Sequence, residues 1–132
     1  MKFPPNIPVY GDQTYRGPCP TETAEQSTFF NQLPPDLKRI ALHIRNEGKR
    51  SHAQHNKMKA EGGFVSGASD VIIPSRVTFV CEMKRADHTK SKWQPGQIDY
   101  LNAAQDAGAW VCVALGWEAA MEAGREWRRL AL

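Results

Sequence analysis

The chain has 132 residues, 41% of them hydrophobic and 23% charged, with a formal net charge of +3. That suits one soluble globular domain able to bury a real core without staples. No apolar run approaches the roughly 20 residues of a membrane span. The opening MKFPPNIPVYGD is broken by Pro4, Pro5 and Pro8 and has no apolar centre, so no signal peptide is expected and the reading is a cytoplasmic protein with no membrane partner.

Residues 1–20 hold five of the nine prolines together with Gly11 and Gly17. They are expected to form an extended arm without regular structure, leaving residues 21–132 as the domain. At Thr21 the pattern changes. Thr21 is a helix cap, Glu22 and Glu25 favour the positive end of the helix that follows, and Phe29, Phe30 and Leu33 supply its apolar positions. Pro34-Pro35 ends it. In the next segment Ile40, Leu42 and Ile44 recur at period two, which predicts a strand. After the break at Asn46-Glu47-Gly48, Lys49 to Glu61 is basic and polar with almost no apolar stripe, so it is expected to be a surface helix stopped by Gly62-Gly63.

Two strands follow, Val71-Ile72-Ile73 and the run ending Val80-Cys81-Glu82-Met83-Lys84. Successive strand residues point to opposite faces, so Phe79, Cys81 and Met83 share one face and Val80, Glu82 and Lys84 the other. One face is core and the other carries charge. A hairpin pairing the two runs sets Asp70 beside Glu82, and two carboxylates converging near one ammonium suit a hard divalent cation and an attacking water. Thr89 to Gln94 is a polar, basic loop, and Pro95 fits the first turn of a helix with Ile98, Leu101, Ala104 and Ala107 as its core stripe. Trp110 to Leu115 is an unbroken apolar run, as in a strand buried on both faces. The last helix turns Ala120, Ala123, Trp127 and Leu130 inward and Arg125, Arg128 and Arg129 outward.

Cys19, Cys81 and Cys112 are odd in number and unpaired in spacing, and His43, His52, His55 and His88 show no ligand pattern. Neither a zinc site nor a disulfide framework is expected. Charge is unevenly placed. Between Lys38 and Lys92 twelve Lys and Arg face five acids, and the rest of the chain is net acidic. A basic segment around an acidic pair fits a nucleic-acid enzyme, with cations for phosphates and acids for metal; a solvated basic face fits it equally well.

GASD (67–70), CEMKR (81–85), Gln97 opening a helix and the run DAGAWVCVALGWEAA (106–120) stand in the order of the PD-(D/E)XK nuclease superfamily. With NEGKRS (46–51), the chain resembles the stand-alone VRR-NUC domains of phages and bacteria over residues 21 to 130. Ser69 stands where that family often has proline. The resemblance implies an α/β fold with a restriction-endonuclease-like core, a central mixed β-sheet flanked by helices. It also implies metal-dependent hydrolysis of DNA, duplex or branched.

Asp70, Glu82 and the main-chain carbonyl of Met83 would hold Mg²⁺ or Mn²⁺, Lys84 would touch the water or the scissile phosphate, and Gln97 would hydrogen-bond nearby. Glu22, in the family's E-x-x-x-Q spacing with Gln26, would complete the site, with Glu25 as its rival. Lys49, Arg50, Lys57, Lys59, Arg85, Lys90 and Lys92 are the candidate phosphate contacts, and Trp93 suits either a stacked base or the core. Stand-alone members of the family are thought to act as homodimers, which would suit a two-fold symmetric substrate such as a Holliday junction. Two other readings remain: a non-catalytic DNA-binding module, and a subunit active only in a larger assembly. Each carboxylate also has a plainer reading, Glu82 with Lys84 as an exposed ion pair and Asp70 as a turn residue.

Overall fold

A computed structural model describes residues 1–45, 52–63 and 65–131. In chain order the elements are β1 (Val9–Tyr10), α1 (Glu22–Gln32), α2 (Pro35–Lys38), β2 (Leu42–His43), α3 (His52–Glu61), β3 (Val71–Ile73), β4 (Phe79–Lys84), a 3₁₀ turn (His88–Lys90), α4 (Gln97–Asp106), β5 (Trp110–Leu115) and α5 (Trp117–Ala131). They build one five-stranded sheet in the order β1-β5-β4-β3-β2. β1 and β4 flank β5 in parallel, while β4, β3 and β2 run antiparallel in turn. The mixed sheet flanked by helices is the architecture expected from the sequence. No helix among the described residues is long and apolar enough to cross a membrane.

Each side of the sheet has its own core. Phe79, Cys81 and Met83 of β4 join Val71, Ile73, Cys112 and Ala114 in packing against α1 and α5, where Phe29 and Trp127 are fully buried. On the other side Val80, Val111, Val113 and Leu115 pack with Leu101 of α4 and Ile7 of the arm. β4 and β5 are thus covered on both faces, which accounts for the unbroken apolar run of β5. Cys81 and Cys112 are register partners, both fully buried and both free thiols. The hydrogen bond to Cys112, then burial, pushes the Cys81 thiol well above its ordinary pKa, so it behaves as a small buried apolar group.

The Thr21 cap forms as expected, its hydroxyl accepting from the backbone of Ala24. Pro34-Pro35 does more than end α1. Pro35 also opens the one-turn helix α2, where the missing N–H is tolerated, and Leu37 is buried there rather than extended. The arm is not devoid of regular structure, because Val9 and Tyr10 add a parallel edge strand beside Val113 and Ala114.

The Ile40, Leu42, Ile44 strand shrinks to Leu42–His43, with Ile40 and Leu42 exposed. Its neighbour His43 turns to α1 instead, stacking on Phe30 and hydrogen-bonding Gln26. On α4, Gln97 and Leu101 are the buried pair and Ala107 is exposed, so the stripe is rotated to include a polar residue. Pro95 lies one residue outside, with Gly96 as the cap. In α5, Ala120, Ala123 and Trp127 face the core as read, but Leu130 is exposed.

Candidate active site

β3 and β4 pair with Val71 opposite Cys81, Ile72 opposite Val80 and Ile73 opposite Phe79. Continuing that register by one step sets Asp70 opposite Glu82, on the face of the sheet that meets α4. This is the juxtaposition the hairpin reading requires. Asp70 is 3% exposed, Glu82 0% and Lys84 1%. The plainer reading of Glu82 and Lys84 as an exposed ion pair is therefore incorrect: the β4–α4–β5 crossover covers the charged face as well as the apolar one.

Gln97 joins these groups. Its Nε2 donates to Glu82 Oε1 at 2.9 Å, and its Oε1 accepts from Lys84 Nζ at 2.9 Å and from the backbone of Gln94 at 2.8 Å. The amide thus presents its donor to the carboxylate and its acceptor to the ammonium, an orientation only one of its two flips satisfies. Lys84 Nζ also lies 3.7 Å from Glu82 Oε1 and donates to the carbonyl of Lys92 at 2.8 Å. Asp70 is fixed from the other side, its Oδ2 accepting from the backbone N–H of Met83 at 2.9 Å.

Two glycines bring Gln97 within reach. Gly67, in the turn before Asp70, and Gly96, before α4, both have positive φ. A Cβ on Gly67 would stand 2.2 Å from the Gly96 carbonyl carbon, and one on Gly96 would stand 2.8 Å from Ser66 O. The turn carrying Asp70 and the turn carrying Gln97 touch backbone to backbone because neither has a side chain there. Between them Ser69 is fully buried, and among the described residues its hydroxyl has no hydrogen-bond partner. A proline at this position would carry no such group.

The loop after β4 folds back over Lys84. Asp87 accepts from the Thr89 hydroxyl and from the backbone of Gly17 and Thr89, which holds its carboxyl down at about 2. Ser91 Oγ accepts from the backbone of Arg85 and donates to Glu22 Oε2, each at 2.9 Å. Glu22 therefore reaches the site through Ser91. Glu25 does not: it is buried at the start of α5, where its carboxylate accepts from the Trp117 backbone N–H as a helix cap. A groove of about 370 Å³ is lined by Glu22, Lys84, Lys90, Ser91, Lys92, Gln94 and Gln97.

The basic candidates divide. Lys92 is exposed at the groove. Lys90 lines the groove while donating to Gly17 O at 2.8 Å. Arg85 is turned to the arm, donating to the carbonyls of Cys19 and Pro20. Lys57 and Lys59 are exposed on α3, Lys57 beside Glu61. Lys49 and Arg50 lie outside the described residues. Trp93 is packed, with Lys84 Nζ 4.7 Å from its ring centroid and its own Nε1 donating to Lys2 O.

Among the described residues no three or more His, Cys, Asp or Glu side chains converge as a metal-binding group. The carboxylates offered are a pair, Asp70 with Glu82, with Glu22 set apart behind Ser91. Two buried carboxylates against one buried ammonium leave formal negative charge in an enclosed place, and their hard oxygen donors fit a hard divalent cation.

No protein-family model and no curated protein matches the sequence. Among solved structures, one described as a VRR_NUC domain protein superposes with a TM-score of 0.69 at 19% identity, covering 88% of this chain and 93% of that one. The chain has the fold of a VRR_NUC domain protein. In that fold Glu22, Asp70, Glu82, Lys84 and Gln97, scattered along the sequence, draw into one place. The sequence reading missed the parts that hold them: the Gly67–Gly96 contact, Ser91 and the Lys92 carbonyl; of the two places it left open for Trp93, the packed one is found. A glycine directly before Gln97 was the one local signal for the Gly67–Gly96 contact.

Proposed function

We propose that this chain is a metal-dependent DNA endonuclease of the VRR-NUC type. One observation carries the reading: Asp70, Glu82 and Lys84 are buried together, joined by Gln97, at the end of an otherwise apolar sheet face in a VRR_NUC fold. Buried charges of this kind contribute little to folding, and two carboxylates, a lysine and an amide are the groups phosphodiester hydrolysis needs.

Asp70, Glu82 and the Met83 carbonyl would hold Mg²⁺ or Mn²⁺. When bound, the metal supplies charge stabilisation at the phosphate and a water of lowered pKa. The chain supplies the rest. Gln97 fixes the rotamers of Glu82 and Lys84 relative to each other. Lys84, facing the groove, offsets charge on the phosphate and orients the nucleophile. Glu22 closes the far side through Ser91, and Lys90 and Lys92 line the route taken by the backbone of the DNA. The substrate we favour is branched DNA cut by a homodimer, because two symmetric sites match a two-fold junction.

The test is cleavage of a labelled four-way junction beside linear duplex and single strand, with Mg²⁺, Mn²⁺ or EDTA, by wild type and Lys84→Ala. Metal-dependent cutting that the variant loses supports the nuclease, and the substrate ranking decides the junction. Binding that weakens with salt, without cutting, would replace it with a DNA-binding module or a subunit requiring a partner.

A further inference from the structure

Besides the Glu82 carboxylate at 3.7 Å, three groups hold the ammonium of Lys84: Gln97 Oε1, Lys92 O, and the face of Trp93 at 4.7 Å. The first belongs to the site already described. The third depends on the arm. Trp93 Nε1 donates to Lys2 O at 2.7 Å, and Phe3 meets the indole edge-on with centroids 6.3 Å apart. Phe3 is in turn seated edge-on against the buried His88, 5.1 Å between centroids. Phe3 and Trp93 are both half-buried and pack against the α4-side core, so they continue that core over the charged end of β4.

We propose that Trp93 is a positioning residue for Lys84, held in place by Lys2 and Phe3 of the amino-terminal arm. The proposal rests on the nuclease reading for its kinetic consequence. A lysine has four rotatable bonds, and its ammonium is directed only if its surroundings leave one place for it. The negative face of an indole attracts a cation and keeps water from it, and here it narrows the position of Nζ to the line between Gln97 and Lys92. The indole face that meets Lys84 is occupied, so it does not serve as a platform for a base. The arm, by the same contacts, is part of the site.

The experiment compares Trp93→Phe, Trp93→Leu and Phe3→Ala with wild type in two ways. In cleavage kinetics, Trp93→Leu is expected to lower kcat about tenfold or more with KM changed no more than about twofold. Trp93→Phe, which keeps a ring face for the cation but loses the fused ring with its N–H, is expected to recover part of the rate. A Trp93→Leu enzyme with normal kcat and a raised KM would overturn the proposal and give Trp93 to DNA stacking.

The second measurement is independent of cleavage: acetylation of the folded proteins with an amine-reactive ester, followed by peptide mass spectrometry at Lys84. Lys84 should be labelled several-fold faster in Trp93→Leu and Phe3→Ala than in wild type. Equal protection in all the proteins would overturn the proposal even if wild type cuts DNA. Faster labelling in the variants of a chain that never cuts DNA would sink the nuclease reading and still support the Trp93–Lys84 contact.

Discussion

Alternate residues of β4 meet two different surroundings. Phe79, Cys81 and Met83 enter a face lined by Phe29, Trp127 and other apolar groups of α1 and α5. On the opposite face Val80 begins in the same way, but Glu82 and Lys84 place an acid and a base in equally buried positions. Taking charges out of water costs more than an isolated ion pair commonly returns. On the proposed reading one face of the strand accounts for stability and the charged end of the other for chemistry, and substitutions along the same six residues should separate the two.

The largest expected effect is on the charged face. Asp70→Ala or Glu82→Ala should lower the cleavage rate by about 10³ or more, since each removes a proposed metal ligand, while circular dichroism and cooperative melting stay native. Normal cutting by both variants would mean that the site is wrongly placed. On the apolar face the pattern reverses: Phe79→Ala should cost about 3–5 kcal/mol in urea unfolding, with the rate per folded molecule kept. Replacing Glu82, Lys84 and Gln97, whose buried amide would otherwise lose both side-chain partners, together by methionine sharpens the contrast. That protein should be inactive, yet unfold with unchanged stability or with a gain of about 1–4 kcal/mol. A marked loss of stability would show that these buried groups hold the fold.

Smaller effects come from the supports. A Cβ at Gly67 would overlap the backbone at Gly96, so Gly67→Ala should destabilise by about 1–3 kcal/mol and slow cleavage by displacing Gln97. Thermal melting and turnover measured on one preparation would check both. The smallest effect concerns Asp87. Its carboxyl is held at about 2 in the folded chain, first by the Thr89 hydroxyl, below the ordinary value of about 3.9. A depressed carboxylate pKa stabilises above the unfolded value and stops doing so as pH falls through the folded one. Melting temperatures should thus lose this contribution between about pH 5 and pH 2, and Asp87→Asn should flatten that part of the curve. An unchanged acid limb in the variant would remove Asp87 as its source.

Where the sequence was legible, a local rule had no competitor. Thr21 precedes a helix with acids in its first turn, and it caps α1. The Val71 and Phe79 runs have hairpin spacing, and their register follows from period two. Where it misled, tertiary packing overrode local pattern. Ile40, Leu42 and Ile44 alternate like a core-facing strand, but the sheet ends there and His43 finds α1 instead. The α4 stripe is rotated because Gln97 meets charges on β4 that no periodicity within the helix can report.

The family resemblance of its motifs implied the mixed sheet and the place of Gln97; by itself the sequence determined the α/β order of elements, the pairing of Asp70 with Glu82 and the lysine beside them. These depend on spacing within single strands and helix starts, where backbone geometry fixes what is adjacent. Only the tertiary structure decided that both faces of β4 are buried, that Glu22 faces the groove while Glu25 caps α5, and that Trp93 covers Lys84 under residues 2 and 3. Those contacts join segments as much as 92 residues apart, and a distance of that kind is set by how the layers close rather than by any local run of residues.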